Sequence, residues 1–296
     1  MKQIAISGST GYLGQKVFFH LRSLGIEPIA ILRNNSDPEA VARLGPKRIL
    51  HWGKDILPKT DTLMILGTLF SGHTQPGEAH QIVTANVLWP VELAEAYLRV
   101  GGQHVIAAGT CWERVGVYRK PANTYAASKE SAHLMLAAMT AEHRASLTWL
   151  RLADTFSIDD PRKKIFQVIR EAIIEGRSLD MTLGEQDFDP LPANEAALAL
   201  SLACIEEKPI SHGVWGISGG SPSSLRSKIE RYCQIVGKRS PVRWGAKPYR
   251  FGEPFFINWT QPPPWWNSSI DYDAAIIAME SLPRGLLFGN VASSKI

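Results

Sequence analysis

Tyr125 and Lys129 stand four residues apart in the run Tyr125-Ala-Ala-Ser-Lys129, which opens a helical stretch reaching to about His143, with Asn123 or Thr124 as its cap. A spacing of four places the phenol and the ammonium on one helix face. A phenol alone exchanges its proton poorly near neutrality, because its pKa is about 10, and a neighbouring cation favours the phenolate. The pair therefore suits a general acid tuned by the lysine, whose remaining donors are free to hold a ribose. Thr110, just past the apolar run His104 to Ala108, adds a hydroxyl that can bind the same substrate oxygen. Tyr-x-x-x-Lys also occurs in ordinary amphipathic helices, so its meaning depends on what precedes it.

What precedes it is Ile4 to Gly14, a short apolar run that ends in Gly8, Gly11 and Gly14, with an amphipathic segment, Gln15 to Leu24, directly behind. The pattern predicts a buried strand, a tight turn and the opening of a helix. Gly8 turns the chain, Gly11 lets the backbone approach a pyrophosphate, and Gly14 lets helix and strand pack closely. Backbone N–H groups at the helix opening then face the phosphates. Gly8, Thr10, Gly11, Tyr12, Leu13 and Gly14 are the expected cofactor-binding residues of this loop. The second apolar run, Pro28 to Leu32, ends at Arg33, where an acidic side chain would accept from both ribose hydroxyls and an arginine suits a 2′-phosphate. Arg33 thus argues for NADP(H) over NAD(H), with a solvated surface arginine as the plainer alternative.

The elements that must position these groups alternate strand and helix. Arg48 to Trp52 reads as a third strand, with Asp55-Ile56 near the adenine, and Thr62 to Leu66 as a buried fourth whose end, Gly67-Thr68, opens onto the cofactor. A helix from about Glu78 to Val100 contains Asn86 and Pro90, and Pro90 should kink it or start a new segment. Val214 to Ser218 reads as a returning strand and Leu225 to Val236 as a helix. The expected fold is α/β, a Rossmann-type doubly wound parallel sheet with Gly8, Arg33, Thr68 and Thr110 at its carboxyl edge. Residues 1–156 and about 192–236 make the dinucleotide-binding domain; 157–191 and 237–296 make a smaller, discontinuous substrate-binding portion.

Composition excludes several other classes. In 296 residues the net charge of +4 is too small and too dispersed for a nucleic-acid surface, which leaves small anionic ligands open. Cys111, Cys204 and Cys233 form neither a paired nor a metal-spaced pattern, so no metal site is expected and a reducing cytoplasm fits. No apolar run approaches the length of a membrane helix or a signal peptide.

With Gly8-x-x-Gly11-x-x-Gly14, the Thr110 strand end and Tyr125-x-x-x-Lys129 in this order, the chain resembles an extended short-chain dehydrogenase/reductase over nearly its whole length. That group contains nucleotide-sugar epimerases, dehydratases and reductases. The resemblance implies Thr110, Tyr125 and Lys129 as the catalytic residues, with Tyr125 protonating a carbonyl oxygen as hydride arrives from the nicotinamide. It also implies that Leu150 to Phe156 is the sixth strand, with the backbone around Thr155 against the carboxamide. Dehydratases of the family follow the catalytic threonine with an Asp-Glu pair, and here Cys111 and Trp112 stand there. Epimerases of the group hold NAD tightly and tend to carry an acid where this chain has Arg33. An NADPH-consuming reductase is left, and Thr110-x-Trp112-Glu113 is similar to the reductases that reduce a 4-keto group on deoxyhexose nucleotides. Cys111 lies one position past the hydroxyl rather than the two seen in epimerase-reductases, so it reads as a pocket or core residue.

For the substrate, Arg162, Lys163, Lys164 and Arg170 are positioned to meet a diphosphate or to form a solvated helix face. Pro248 to Glu253 resembles the family's second diphosphate-binding segment, with Arg250 as anchor, whereas Phe188 replaces the arginine expected before Asp189. Trp112 joins Thr110, Arg162 and Arg250 as expected substrate contacts. Trp259, Trp265 and Trp266 read as pins that hold a proline-rich segment on the core more than as a wall over a sugar, and Asn290 to Ile296 as a frayed tail. The leading expectation is an NADPH-dependent reductase of a nucleotide-linked keto-deoxysugar. Beside it stand an epimerase without net redox change, a reductase of small ketones or aldehydes, and a non-catalytic NADP(H)-sensing regulator. The family resemblance implies a homodimer through the helices of Asn86 to Val100 and Tyr125 to His143.

Overall fold

The structure is a computed structural model that describes residues 2–72, 75–206, 212–250, 253–268 and 270–281. The segment read as a frayed tail lies outside the described residues. Seven strands form one sheet: β1 (Ile4–Ser7), β2 (Ile29–Leu32), β3 (Arg48–His51), β4 (Thr62–Ile65), β5 (His104–Thr110), β6 (Ser146–Leu152) and β7 (Gly213–Ile217). They run in the order β7-β6-β5-β4-β1-β2-β3, and every neighbouring pair is parallel. This is the Rossmann-type doubly wound arrangement. All residues of β1, β2, β4 and β5 are buried, as continuous apolar runs covered on both faces require.

Alternation along the strands feeds two cores. Ile4, Ile6, Leu150 and Leu152 pack with Val17, Phe18 and Leu21 of α1 (Tyr12–Ser23) and with the alanine-rich α7 (Ala193–Ile205). On the opposite face, Ala5, Leu63, Val105 and Trp149 meet Leu93 and Tyr97 of α4 (Trp89–Arg99) and Ala132 and Leu136 of α5 (Thr124–Glu142). The sheet order reverses between β1 and β4, the crevice where such sheets receive ligands.

Several expected boundaries shift. The long helix is broken into α3 (Glu78–Val83), a five-residue π turn (Thr84–Leu88) and α4, because Pro90 lacks the N–H needed to continue the ladder. The strand expected from Leu150 already starts at Ser146, where it pairs with His104. It stops at Leu152, and Thr155–Phe156 is a separate short strand beside Leu191–Pro192. Two short helices that no strong apolar period announces, α2 (Pro38–Leu44) and α9 (Tyr272–Ser281), are also present.

A third core is made by Phe156, by Phe166 and Ile169 of α6 (Ile165–Glu175), by Ile229 and Tyr232 of α8 (Leu225–Ile235), and by Ile276 and Met279 of α9. The helix at 225–235, grouped by sequence with the dinucleotide-binding residues, thus buries its apolar stripe in the smaller core. Conversely, Trp266 is buried in the sheet core, with Trp259 and Trp265 packed against it. Gly216 N–H of β7 donates to Gln261 C=O at 2.8 Å, so the proline-rich segment closes the outer edge of the sheet.

Candidate active site

Gly8 follows β1 with φ of 75°, in the left-handed region that glycine enters without strain. A Cβ on Gly8 would fall 2.3 Å from the Gly67 nitrogen, and one on Gly14 would fall 2.1 Å from the Gly8 carbonyl oxygen. The ends of β1 and β4 and the first turn of α1 therefore meet backbone to backbone. Helix α1 is capped at Gly11, which supplies no side-chain acceptor, and its first turn carries no acid. Its leading N–H groups are left for an anion. Ser7 Oγ, Ser9 Oγ and Gln15 Oε1 around this turn are buried without a partner among the described residues. A cradle with no room for side chains, an uncapped helix opening and orphaned hydroxyls fit the diphosphate of a dinucleotide.

Tyr12 and Leu13 open α1 behind the partly buried Thr10. The Tyr12 hydroxyl donates to Asp159 at 2.5 Å, and Lys16 pairs with the same carboxylate at 3.0 Å. Lys16 and its neighbours thereby fasten the 157–162 segment over the start of α1. Arg33 comes directly after β2, exposed, with its guanidinium 5.2 Å from the ring of Trp89. Trp89 is buried against Gly67 and its Nε1–H has no partner.

On α5, whose N-cap Asn123 accepts from Ala126 N–H at 2.9 Å, Tyr125 and Lys129 are both buried. The Tyr125 phenol lies beside Thr68, the residue after Gly67, whose hydroxyl donates to Asn86. Phe70 packs edge-on against the phenol with centroids 5.0 Å apart, and the Lys164 ammonium is 5.4 Å from the Phe70 ring. Burial pushes the phenol pKa up, and the Glu113 charge adds to this. These two effects outweigh the expected pull of Lys129 toward phenolate in the protein as it stands; Lys129 is itself pushed down to about 8 by burial, with Glu113 opposing. Its ammonium lies 5.7 Å from the Trp149 ring.

Thr110 ends β5, and its hydroxyl accepts from Trp112 N–H at 3.3 Å. Cys111 is buried with Val115 and Ile257, and burial raises its thiol well above the usual range, which suits a packing residue. Trp112 lies beside Asp154, a half-buried carboxyl lifted by lost solvation, with Lys164 and then Trp112 opposing. Thr155, half-buried beside Leu191, follows Asp154. Arg162 forks onto Asp160 at 2.8 and 2.7 Å and lies 5.4 Å from the Tyr12 ring. Arg250 is exposed and pairs with Glu253 at 3.3 Å; among the described residues no contact joins it to the Tyr125 group.

Three residues of this region had no role in the sequence reading. Glu113, with no exposure, accepts from Thr110 N–H at 2.7 Å, Trp149 Nε1 at 3.0 Å and Arg151 Nε at 2.7 Å. Burial pushes its carboxyl up against the lowering effect of those donors. Asn86, buried in the π turn, accepts from Thr68 Oγ1 and Leu69 N–H and donates to Leu69 C=O and Ser128 Oγ. It ties the end of β4 to α5. Asp154 is the third. An acid three places past Thr110 was the one signal in the sequence, and it pointed to Glu113.

Comparison with known proteins places this geometry. The profile of the NAD dependent epimerase/dehydratase family matches residues 4–209. A dTDP-6-deoxy-L-talose 4-dehydrogenase (NAD(+)) from Aggregatibacter actinomycetemcomitans is 26% identical over 267 residues, 83% of this chain and 95% of that one. Two solved structures share the fold. One is the UDP-glucuronic acid 4-epimerase of Bacillus cereus in complex with UDP-glucuronic acid and NAD, with a TM-score of 0.74, 17% identity and 94% and 97% of the two chains covered. The other is the UDP-N-acetylglucosamine 4-epimerase of Methanobrevibacter ruminantium in complex with UDP-N-acetylmuramic acid, with a TM-score of 0.76, 17% identity and 94% and 96% covered.

Proposed function

The chain belongs to the NAD dependent epimerase/dehydratase family, as an NAD(P)-dependent enzyme of the extended short-chain dehydrogenase/reductase type, and on that premise we propose that it reduces a keto group on a nucleotide-linked 6-deoxyhexose with NADPH. The observation that carries this reading is the position of Tyr125. Its phenol lies beside Thr68, Thr68 follows Gly67, and Gly67 abuts Gly8, which supports a proton donor and a diphosphate cradle on one rim. Burial keeps the phenol protonated across neutral pH, the resting state a general acid needs.

NADPH held in this cradle would supply the hydride for the carbonyl carbon. Tyr125 gives its proton to the carbonyl oxygen, Thr110 holds that oxygen, and Lys129 holds the ribose and steadies the phenolate left behind. Trp112, seated on Asp154, and Arg162, beside Tyr12, border the space a substrate takes. Residues 157–191 and 237–296 supply the substrate side, with Arg250 reaching the diphosphate. The relative whose name describes oxidation at C4 of a deoxyhexose nucleotide supports the same carbon in the reverse direction. Its name gives NAD(+); Arg33 beside the adenosine crevice supports NADP(H) here. Exposed Val83, Leu88, Leu134 and Met135 on the π-broken helix and α5 support a homodimer, and three buried free cysteines support a cytoplasmic setting.

Phe188 favours a second reading, reduction of a small ketone or aldehyde. It sits where a phosphate-binding arginine was expected and packs toward Phe166, with centroids 6.1 Å apart. The test is NADPH oxidation followed at 340 nm with a dTDP-4-keto-6-deoxyhexose and with small ketones. Consumption with the nucleotide sugar supports the leading reading, consumption with small ketones alone the second, and sugar interconversion without consumption an epimerase.

A further inference from the structure

A cavity of ≈ 450 Å³ lies behind the catalytic strand end, lined by Arg114, Arg119, Arg151, Asn258, Trp259 and Thr260 together with Phe256 and Ile257. Its two walls are the turn after β5 and the extended segment 256–260. They are stitched by Gly116 N–H to Phe256 C=O at 2.8 Å and Asn258 N–H to Arg114 C=O at 2.9 Å. The floor is Arg151 of β6.

Arg151 pairs with Glu113 at 2.7 Å and with Glu130 at 3.1 Å, and Arg114 pairs with Glu130. Glu113 and Glu130 thus serve Arg151 and Arg114, Asp187 accepts from Ile257 N–H at 3.0 Å, and Arg119 has no acidic partner among the described residues. Arg119 is held at φ of 49°, a left-handed conformation costly for a side chain with a Cβ. Two lining residues, Arg114 and Trp259, each carry a buried N–H (Nε and Nε1) that no acceptor meets among the described residues. An unpaired arginine in a costly backbone conformation and unmet donors around one cavity ask for an anion with several acceptor oxygens.

We propose that this cavity binds a phosphate group, with Arg114, Arg119 and Arg151 as its ligands. It is separate from the dinucleotide crevice, yet it touches the reaction site through one carboxylate. Glu113 accepts Thr110 N–H with one oxygen and Arg151 Nε with the other. An anion that draws on Arg151 therefore competes with Glu113, and its occupancy is felt at Thr110. Phosphate reaches such a site as the free ion or as part of a nucleotide whose base rests on Phe256 or Trp259.

Calorimetric titration with inorganic phosphate tests the site, at ionic strength held constant with chloride and in saturating NADPH so that the crevice is filled. Saturable binding is expected, weakened about tenfold or more in Arg119→Gln and again in Arg114→Gln, unchanged in Arg33→Ala, with the thermal midpoint of Arg119→Gln equal to wild type. Uridine monophosphate binding more tightly than phosphate, with the difference lost in Phe256→Ala, assigns the nucleotide source; equal affinities assign the free ion. No saturable heat, or the same affinity in both arginine variants as in wild type, overturns the proposal. Failure of NADPH to bind under the same conditions is a separate result that bears on the reductase reading.

Discussion

The backbone N–H of Thr110 donates to Oε1 of Glu113 at 2.7 Å, so the residue at the mouth of the fifth strand is fastened to a carboxylate that has no solvent contact. Local chain geometry makes this possible: Thr110 and Glu113 form a capping box around the short turn of Cys111–Glu113. A Cβ on the preceding Gly109 would fall 2.4 Å from that carboxylate oxygen, which leaves glycine as the residue that admits it.

Glu113→Gln is expected to lose about 3 kcal/mol of stability, because it leaves the Arg151 guanidinium buried without its nearest counter-charge. Urea unfolding at neutral pH measures it. A loss below about 1 kcal/mol would show that Glu130 alone suffices for Arg151.

Tyr125→Phe keeps the ring packed against Phe70 and removes only the hydroxyl. Turnover is expected to fall roughly 10²- to 10⁴-fold while NADPH binding stays within about twofold. Stopped-flow reduction and fluorescence titration separate the two, and unchanged turnover removes Tyr125 from the chemistry.

Lys129 titrates near 8 in the folded chain and at 10.5 as an ordinary lysine. Below pH 8 both folded and unfolded chains are protonated there, and the cost of burying the cation is at its full size. Between 8 and 10.5 the unfolded chain holds more protons, so stability gains with rising pH. Lys129→Met is therefore expected to stabilise the cofactor-free protein at pH 7 by an amount on the order of 3 kcal/mol, and the gain should shrink steadily toward pH 10. Denaturant midpoints of both proteins across this range give the measurement; a gain that does not change with pH contradicts it.

Arg33→Ala is expected to weaken NADPH binding by about ten- to a hundredfold, the worth of one to two charge-assisted hydrogen bonds, with little change for NADH. Titrations with the two cofactors decide it. Equal losses for both would reduce Arg33 to a partner of the Trp89 ring.

What could be read in the sequence was what depends on near neighbours. The positive φ of Gly8 and the close approach of Gly11 and Gly14 to the Gly8 carbonyl are set within one turn, and Tyr125 and Lys129 share a face by helix geometry alone. Glu113 escaped assignment because its partner Arg151 lies 38 residues on, and only the register that sets Gly109 beside Arg151 joins them. Asn86 is the same case, meeting Ser128 across 42 residues once Pro90 has opened a π turn. For α8 the apolar stripe announced a helix without saying which core would bury it. Arg162 and Arg250, expected at a diphosphate, pair with Asp160 and Glu253 in the protein as it stands, partners that residue types alone do not reveal.

The seventh strand is the last of the sheet to be made, after the chain has left for the smaller core and returned. Until Gly213–Ile217 leaves the ribosome, β6 is a bare flank of unpaired N–H and C=O groups, and even β7 is sheltered only once Gln261 reaches Gly216. A nascent chain stalled between these points displays a sticky rim that invites a second copy. Synthesis of the protein is thus most exposed to misassembly in its second half, when Tyr125 and Lys129 are already in place.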